Sequence, residues 1–190
     1  MSLGIRTIMK LKLFVLVLLL QSGWLVGMAM KQEYALSHGA TIVLETVPVD
    51  PRDMLSGDYV ILSYKISSVP FKLFSPGITN DLPVGKTVYV ALEKHGSFHE
   101  AVSASTNLIT PAARQVVLKG HSVSGWNHEQ VRVEYGLERF YIHEGTGNVR
   151  GKLTAEIAVT DSGQGMVKQV FVDGKPFAET VKQHSHTNAP

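Results

Sequence analysis

Eight histidines are the first residues that could carry chemistry, since a neutral imidazole ligates transition metals and exchanges protons near neutral pH. Their spacing builds no metal site. His95 and His99 are four apart, but His95-Gly96-Ser97 reads as a hairpin turn, which removes the helical face such a pair needs. His99-Glu100, His128-Glu129 and His143-Glu144 never continue as H-E-x-x-H. His184 and His186 sit in a polar tail. The absence of Cys excludes thiolate ligands, thiol nucleophiles and disulfides. Gly85-Lys86-Thr87 matches the end of a phosphate-binding loop, but the first glycine of that pattern falls on Asn80, and a strand pattern rather than a helix follows. Gly120-His121-Ser122-Val123-Ser124 lacks the closing glycine of a nucleophile elbow, so Ser122 reads as a strand residue. No catalytic residue, metal or cofactor is assigned from these patterns.

The elements that would position any site divide unequally along the 190 residues, a length that suits one domain plus an appendage. Arg6, Lys10 and Lys12 are the only charges in residues 1–30. Removing those three cations from the net charge of +2 leaves the rest of the chain at about −1. The remainder has no basic run of the kind that tracks phosphates, so nucleic acid is not expected as a partner. Leu13 to Met30 is uncharged, and as a helix it would rise about 27 Å, close to the hydrocarbon thickness of a bilayer. Trp24 lies towards its far end, where indole rings favour the interface. The three preceding cations place the N-terminus in the cytoplasm and the rest outside. Gly27 and Ala29 also allow cleavage before Met30, as in a signal peptide, but the apolar stretch is longer than a usual signal core. The expectation is an uncleaved anchor in the inner membrane, in contact with lipid. Residues 1–12 are then cytoplasmic, 13–30 span the membrane, and 31–40 form a helical stalk. Residues 41–180 form a β-rich domain outside the cytoplasm, and 181–190 a disordered tail.

Period-two alternation dominates after residue 40. Candidate strands are Thr41–Val49, Gly57–Ile66, Thr87–His95, Phe98–Ser105, Arg114–Trp126, Gln130–Tyr135, Leu137–Ile142, Thr154–Thr160 and Met166–Val172, with a short end strand after Asp173-Gly174. Val60, Leu62 and Tyr64 share one face, and Tyr59 points to the other. Gly136 invites a bulge or bend. Ser67–Gly85, with three prolines, reads as a long loop or flap. Short strands with turns between them predict a mainly β fold, an antiparallel sandwich or barrel-like domain behind one N-terminal transmembrane helix.

Three blocks in this pattern resemble a family. Gly57-Asp58-Tyr59-Val60-Ile61-Leu62-Ser63-Tyr64 spells G-D-Y-x-x-L-x-Y, and the chain is similar to the bacterial GDYXXLXY proteins. Pro48–Leu55 resembles their approach, P-x-D-P-R-D-x-L, and Tyr135–Gly145 a second block, aromatic-Gly-x-Glu-x-aromatic ending in Glu-Gly. His143 stands where family members usually carry Pro. The resemblance implies a membrane-anchored protein with an extracytoplasmic domain and a polytopic membrane protein as partner. It carries no established activity. The candidate binding residues, drawn from these blocks, are Asp50, Arg52, Asp53, Asp58, Tyr59, Arg139 and Glu144. Turn and core roles also account for the motif: Asp50 shapes the turn before Pro51, Gly57 permits a sharp approach to the strand, and Asp53 or Asp58 can pair with Arg52 or Arg139.

The expected function is binding, as an accessory docked on a polytopic membrane protein. One alternative is an extracytoplasmic hydrolase using carboxylates such as Asp53, Asp58 and Glu138. Met54–Val60 is also similar to a segment of membrane-anchored signal peptidases, but Asp53 stands where those enzymes need a Ser, and Lys65 is too near in sequence to be their base. A degenerate relative of that β fold stays open. A small-ligand or glycan sensor is the third reading, and it requires an aromatic-lined groove.

Overall fold

The structure, a computed structural model, describes residues 2–47, 59–74, 82–127, 129–141 and 151–180. It consists of two compact units, residues 1–37 and 38–190. The first is a single helix, α1 (Ser2–His38), which stops before Gly39. Its apolar side chains from Leu11 to Met30 are exposed, and it is long and apolar enough to cross a membrane. A stretch that is apolar on every side is suited to a non-aqueous surrounding. A membrane anchor and a signal sequence both meet that description.

The second unit is built from antiparallel ladders. One sheet has four strands in the order β1 (Ala40–Glu45), β9 (Leu153–Val159), β10 (Gly165–Val172), β11 (Lys175–Pro176). A five-stranded sheet runs β3 (Ser68–Pro70), β7 (Gln130–Glu134), β6 (Gln115–Asn127), β4 (Thr87–His95), β5 (Phe98–Ser105). A two-stranded ribbon pairs β2 (Tyr59–Ile61) with β8 (Arg139–Tyr141). Among the described residues the sheets do not close into a barrel. The expected mainly β, antiparallel architecture is present.

Alternation explains the core. Ile42 and Leu44 of β1, Val88, Val90 and Leu92 of β4, Val131 and Val133 of β7, and Ala155, Ile157 and Val159 of β9 all point inward and are at most 2% exposed. They join Val60, Leu62 and Tyr64 in one cluster spanning all three sheets. Each large aliphatic side chain removed from water contributes about 1.5–3 kcal/mol. The turns match their residues. Gly96-Ser97 closes the β4–β5 hairpin with Gly96 at φ 62°, and Asp173-Gly174 closes β10–β11 with both residues at positive φ. Ser122 is a buried β6 residue whose hydroxyl donates to the Pro83 carbonyl and accepts from Lys86 N–H.

Two expectations are corrected. Gly57–Ile66 does not run as one strand: the ribbon strand ends at Ile61, Tyr64 forms an isolated bridge with Thr46, and a 3-10 turn follows at Lys65–Ser67. The chain is crossing from the ribbon to the five-stranded sheet, and one straight strand cannot serve both. Ser67–Gly85 is not loop throughout. Ser68–Pro70 pairs with β7, and Phe71–Leu73 forms a second 3-10 turn, with Val69, Phe71 and Phe74 buried. Pro70 is tolerated there because β3 is an edge strand. Residues 75–81 lie outside the described residues.

The two large sheets meet where β1 lies beside β5. The backbone N–H of Val43 donates to His99 Nδ1 at 3.1 Å, and the Thr46 hydroxyl donates to the Leu153 carbonyl at 2.6 Å. Lys152 and Lys65 approach Glu45 at 2.7 and 3.5 Å, and the hydrogen bond from Lys152 is the main cause holding the Glu45 carboxyl below its ordinary range. Partial burial, aided by the charge of Lys94, holds the His99 imidazole below its ordinary 6.5. A proton on Nδ1 would also displace the Val43 N–H. The unfolded chain therefore takes up this proton before the folded one, and the His99 contribution is complete above 6.5 and is lost as pH falls through the lower folded value. Urea midpoints measured from neutral pH downward should fall more steeply for the native chain than for His99→Gln. Superimposable profiles would remove His99 from this role.

Candidate functional site

The ribbon is where the recognisable blocks converge. Tyr59 lies opposite Tyr141, Val60 opposite Phe140 and Ile61 opposite Arg139. Directly opposed residues of an antiparallel pair share a face. Val60 and Phe140 turn to the core, where Phe140 meets Phe177 edge-on at 5.7 Å. Tyr59, Ile61, Arg139 and Tyr141 turn outward. The Tyr59 and Tyr141 rings are 6.0 Å apart and tilted by 58°, and the Arg139 guanidinium carbon is 5.6 Å from the Tyr59 ring centre. At an exposed site such a cation–ring contact is worth about 0.5–1 kcal/mol.

Behind the ribbon, two buried tyrosines exchange hydrogen bonds across the blocks. Tyr64 Oη donates to the Leu137 carbonyl at 2.8 Å, and Tyr135 Oη donates to the Ile66 carbonyl at 2.8 Å. Gly136, at φ 75°, makes the sharp turn between β7 and β8 that a Cβ would strain. Glu138 holds that turn: its carboxylate accepts Tyr135 N–H at 2.7 Å, and its carbonyl accepts Leu62 N–H at 2.7 Å. Burial first, and then the negative charge of Glu138, push both phenols well above the usual tyrosine range. They stay protonated donors at any physiological pH.

Both blocks lie within residues 21–170, which match a family model described as GDYXXLXY protein. The chain belongs to the GDYXXLXY family. No curated protein and no solved structure matches it. In this GDYXXLXY protein the described part of the motif is a folding joint on one face and lines a cavity on the other. Val60, Leu62 and Tyr64 are core, as alternation predicts, while Tyr59 is half-buried beside a cavity.

The cavity is an open groove of about 510 Å³ between the outward face of the ribbon and that of β7. Its floor carries Tyr59, Ile61, Arg139 and Tyr141, and Arg132, Glu134 and Glu138 stand beside them. Ser63 and Ser67 also line it. Tyr141 is 71% exposed, so its ring is open to a ligand. Among the described residues neither Arg132 nor Arg139 has a carboxylate partner within ion-pair distance. Of the expected binding residues, Tyr59 and Arg139 come together here, while Asp50, Arg52, Asp53, Asp58 and Glu144 lie outside the described residues. Of the carboxylates weighed for a hydrolase, Asp53 and Asp58 also fall outside them, and Glu138 is engaged at the turn. Sequence reasoning missed Arg132, Glu134 and Tyr141. The available signal was their placement: Tyr141 is two residues from Arg139, and Arg132 and Glu134 occupy the polar positions of β7.

Replacing Tyr64 or Tyr135 by Phe deletes the donor to a buried carbonyl and should cost about 1–3 kcal/mol in each case. Urea denaturation of each variant measures this. A loss near zero for both would show that the exchange does not hold the blocks together.

Proposed function

We propose that this GDYXXLXY protein is an extracytoplasmic binding protein, tethered in the inner membrane by α1 and accessory to a polytopic membrane protein. The observation that carries the reading is the groove: both family blocks pair to build its floor, and its outward residues leave two guanidiniums and an open tyrosine ring for a ligand. The helix is the uncleaved anchor, with its N-terminus in the cytoplasm and the β unit in the periplasm. The three cations before the span support that orientation. Contact with the partner in the bilayer is supported by Gly23 and Gly27, four apart on one helix face, where an added Cβ would meet nothing in this chain. Small residues at that spacing let a second helix approach closely.

The test is made in membranes of the native host, with a photocrosslinking residue at Val26. The full-length chain should resist alkaline carbonate extraction, and protease added to intact spheroplasts should remove the β unit. The crosslinker should give one stoichiometric adduct with a multi-spanning protein. Extraction by carbonate overturns the anchor, and the absence of any such adduct overturns the accessory role.

A further inference from the structure

We infer that the groove between the β2–β8 ribbon and β7 binds a short saccharide, with the Tyr141 ring as its stacking platform. This rests on the reading of the groove as the recognition face and names what it recognises. Its lining narrows the ligand class. Among the described lining residues only Ile61 and Leu62 are aliphatic, so this lining offers little to a lipid chain or an apolar helix. Among the described lining residues Arg132 and Arg139 are matched in number by Glu134 and Glu138, so their net charge favours neither a polyanion nor a polycation. What remains is a ligand dense in neutral donors and acceptors that also has one apolar face. A pyranose has both: a C–H face that lies on an aromatic ring, and a rim of hydroxyls.

The groups present meet those two needs. Tyr141 is exposed and tilted away from Tyr59, so one face is free for the C–H surface. Tyr59 is already covered by the Arg139 guanidinium, which keeps that cation at the groove floor with its N–H fork able to reach sugar oxygens. Glu134 accepts from hydroxyls, whereas Arg132 donates to them. Ser67 also lines the groove, and its hydroxyl is a neutral donor and acceptor. The volume of about 510 Å³ falls in the range of small-molecule sites.

The experiment uses the full chain in a detergent without a sugar headgroup. Saturation-transfer NMR is recorded against short oligosaccharides of glucose, of N-acetylglucosamine and of a uronic acid. At least one series should bind, with its C–H protons receiving the strongest transfer. Tyr141→Ala should weaken that binding about tenfold or more, and Tyr141→Phe should leave it within about twofold, because the ring face and not the hydroxyl is the platform. Preference for the uronic acid, lost in Arg132→Ala, would assign Arg132 to its carboxylate within the same site. Three outcomes overturn the inference: no series binds, the bound series is indifferent to Tyr141→Ala, or a peptide library is captured in the groove while sugars are not. A membrane-protein adduct at Val26 without saccharide binding overturns this inference alone, and saccharide binding without the adduct overturns the accessory reading alone.

Discussion

The reciprocal tyrosine bonds are the constraint on which the remainder of the β unit depends. Tyr64 and Tyr135 are far apart in sequence, yet each hydroxyl ends on the backbone of the other's segment. Each bond does two things at once. It satisfies a carbonyl that has lost contact with water, and it gives the phenol a partner without which its own burial would be costly. Neither tyrosine can be seated without the other segment being in place. The ribbon and the Gly136 turn therefore form together, and the position of Glu138 follows from them. This explains the last letter of the motif in physical terms. Phe would fill the same volume at position 64 but could not reach Leu137.

The same joint sets the geometry of the groove. Because Val60 and Phe140 are held inward, Tyr59 and Tyr141 have to face outward, one residue away in a pleat of period two. Because Gly136 bends the chain sharply, β7 and β8 belong to different sheets although only four residues separate them, and their outward faces meet at an angle. A concave surface results from a folding requirement, with no lid or extra domain needed. The polar lining is also rooted in structure. Glu138 accepts a backbone N–H at the turn and lines the groove as well.

Much of this was legible in the chain, and the failures have physical causes. Strands β4 and β5 match the expected bounds, because Val88, Val90 and Leu92 mark the core face of β4 and a glycine turn joins the two strands. The core face of Val60, Leu62 and Tyr64 follows from period two alone. Strand β3 was not legible, since three residues ending in Pro70 carry no periodicity and its pairing with β7 is a long-range event. The break after Ile61 was hidden for a related reason. Alternation continues to Tyr64 whether the chain stays in one sheet or crosses to another, so periodicity cannot mark the crossing. Within the groove, Tyr59 and Arg139 were reached through the family blocks. Arg132 and Glu134 were not, because a polar position on a strand says which way a side chain points and nothing about what faces it.

A groove of this kind fits the proposed tether. Its contacts are exposed and in good part polar, and exchanging water for the polar ones yields little net free energy. A site that binds in the millimolar range gains only about 4 kcal/mol and would be nearly empty in dilute solution. On the proposed reading α1 changes that balance. It confines the groove to the membrane surface, where a ligand or partner held at the same surface is met at an effective concentration in the millimolar range. Occupancy then depends on whether anchor and ligand share a surface more than on the strength of any one contact. On that reading the anchor and the groove act together: weak recognition becomes selective because a tether keeps the groove near ligands of the same membrane.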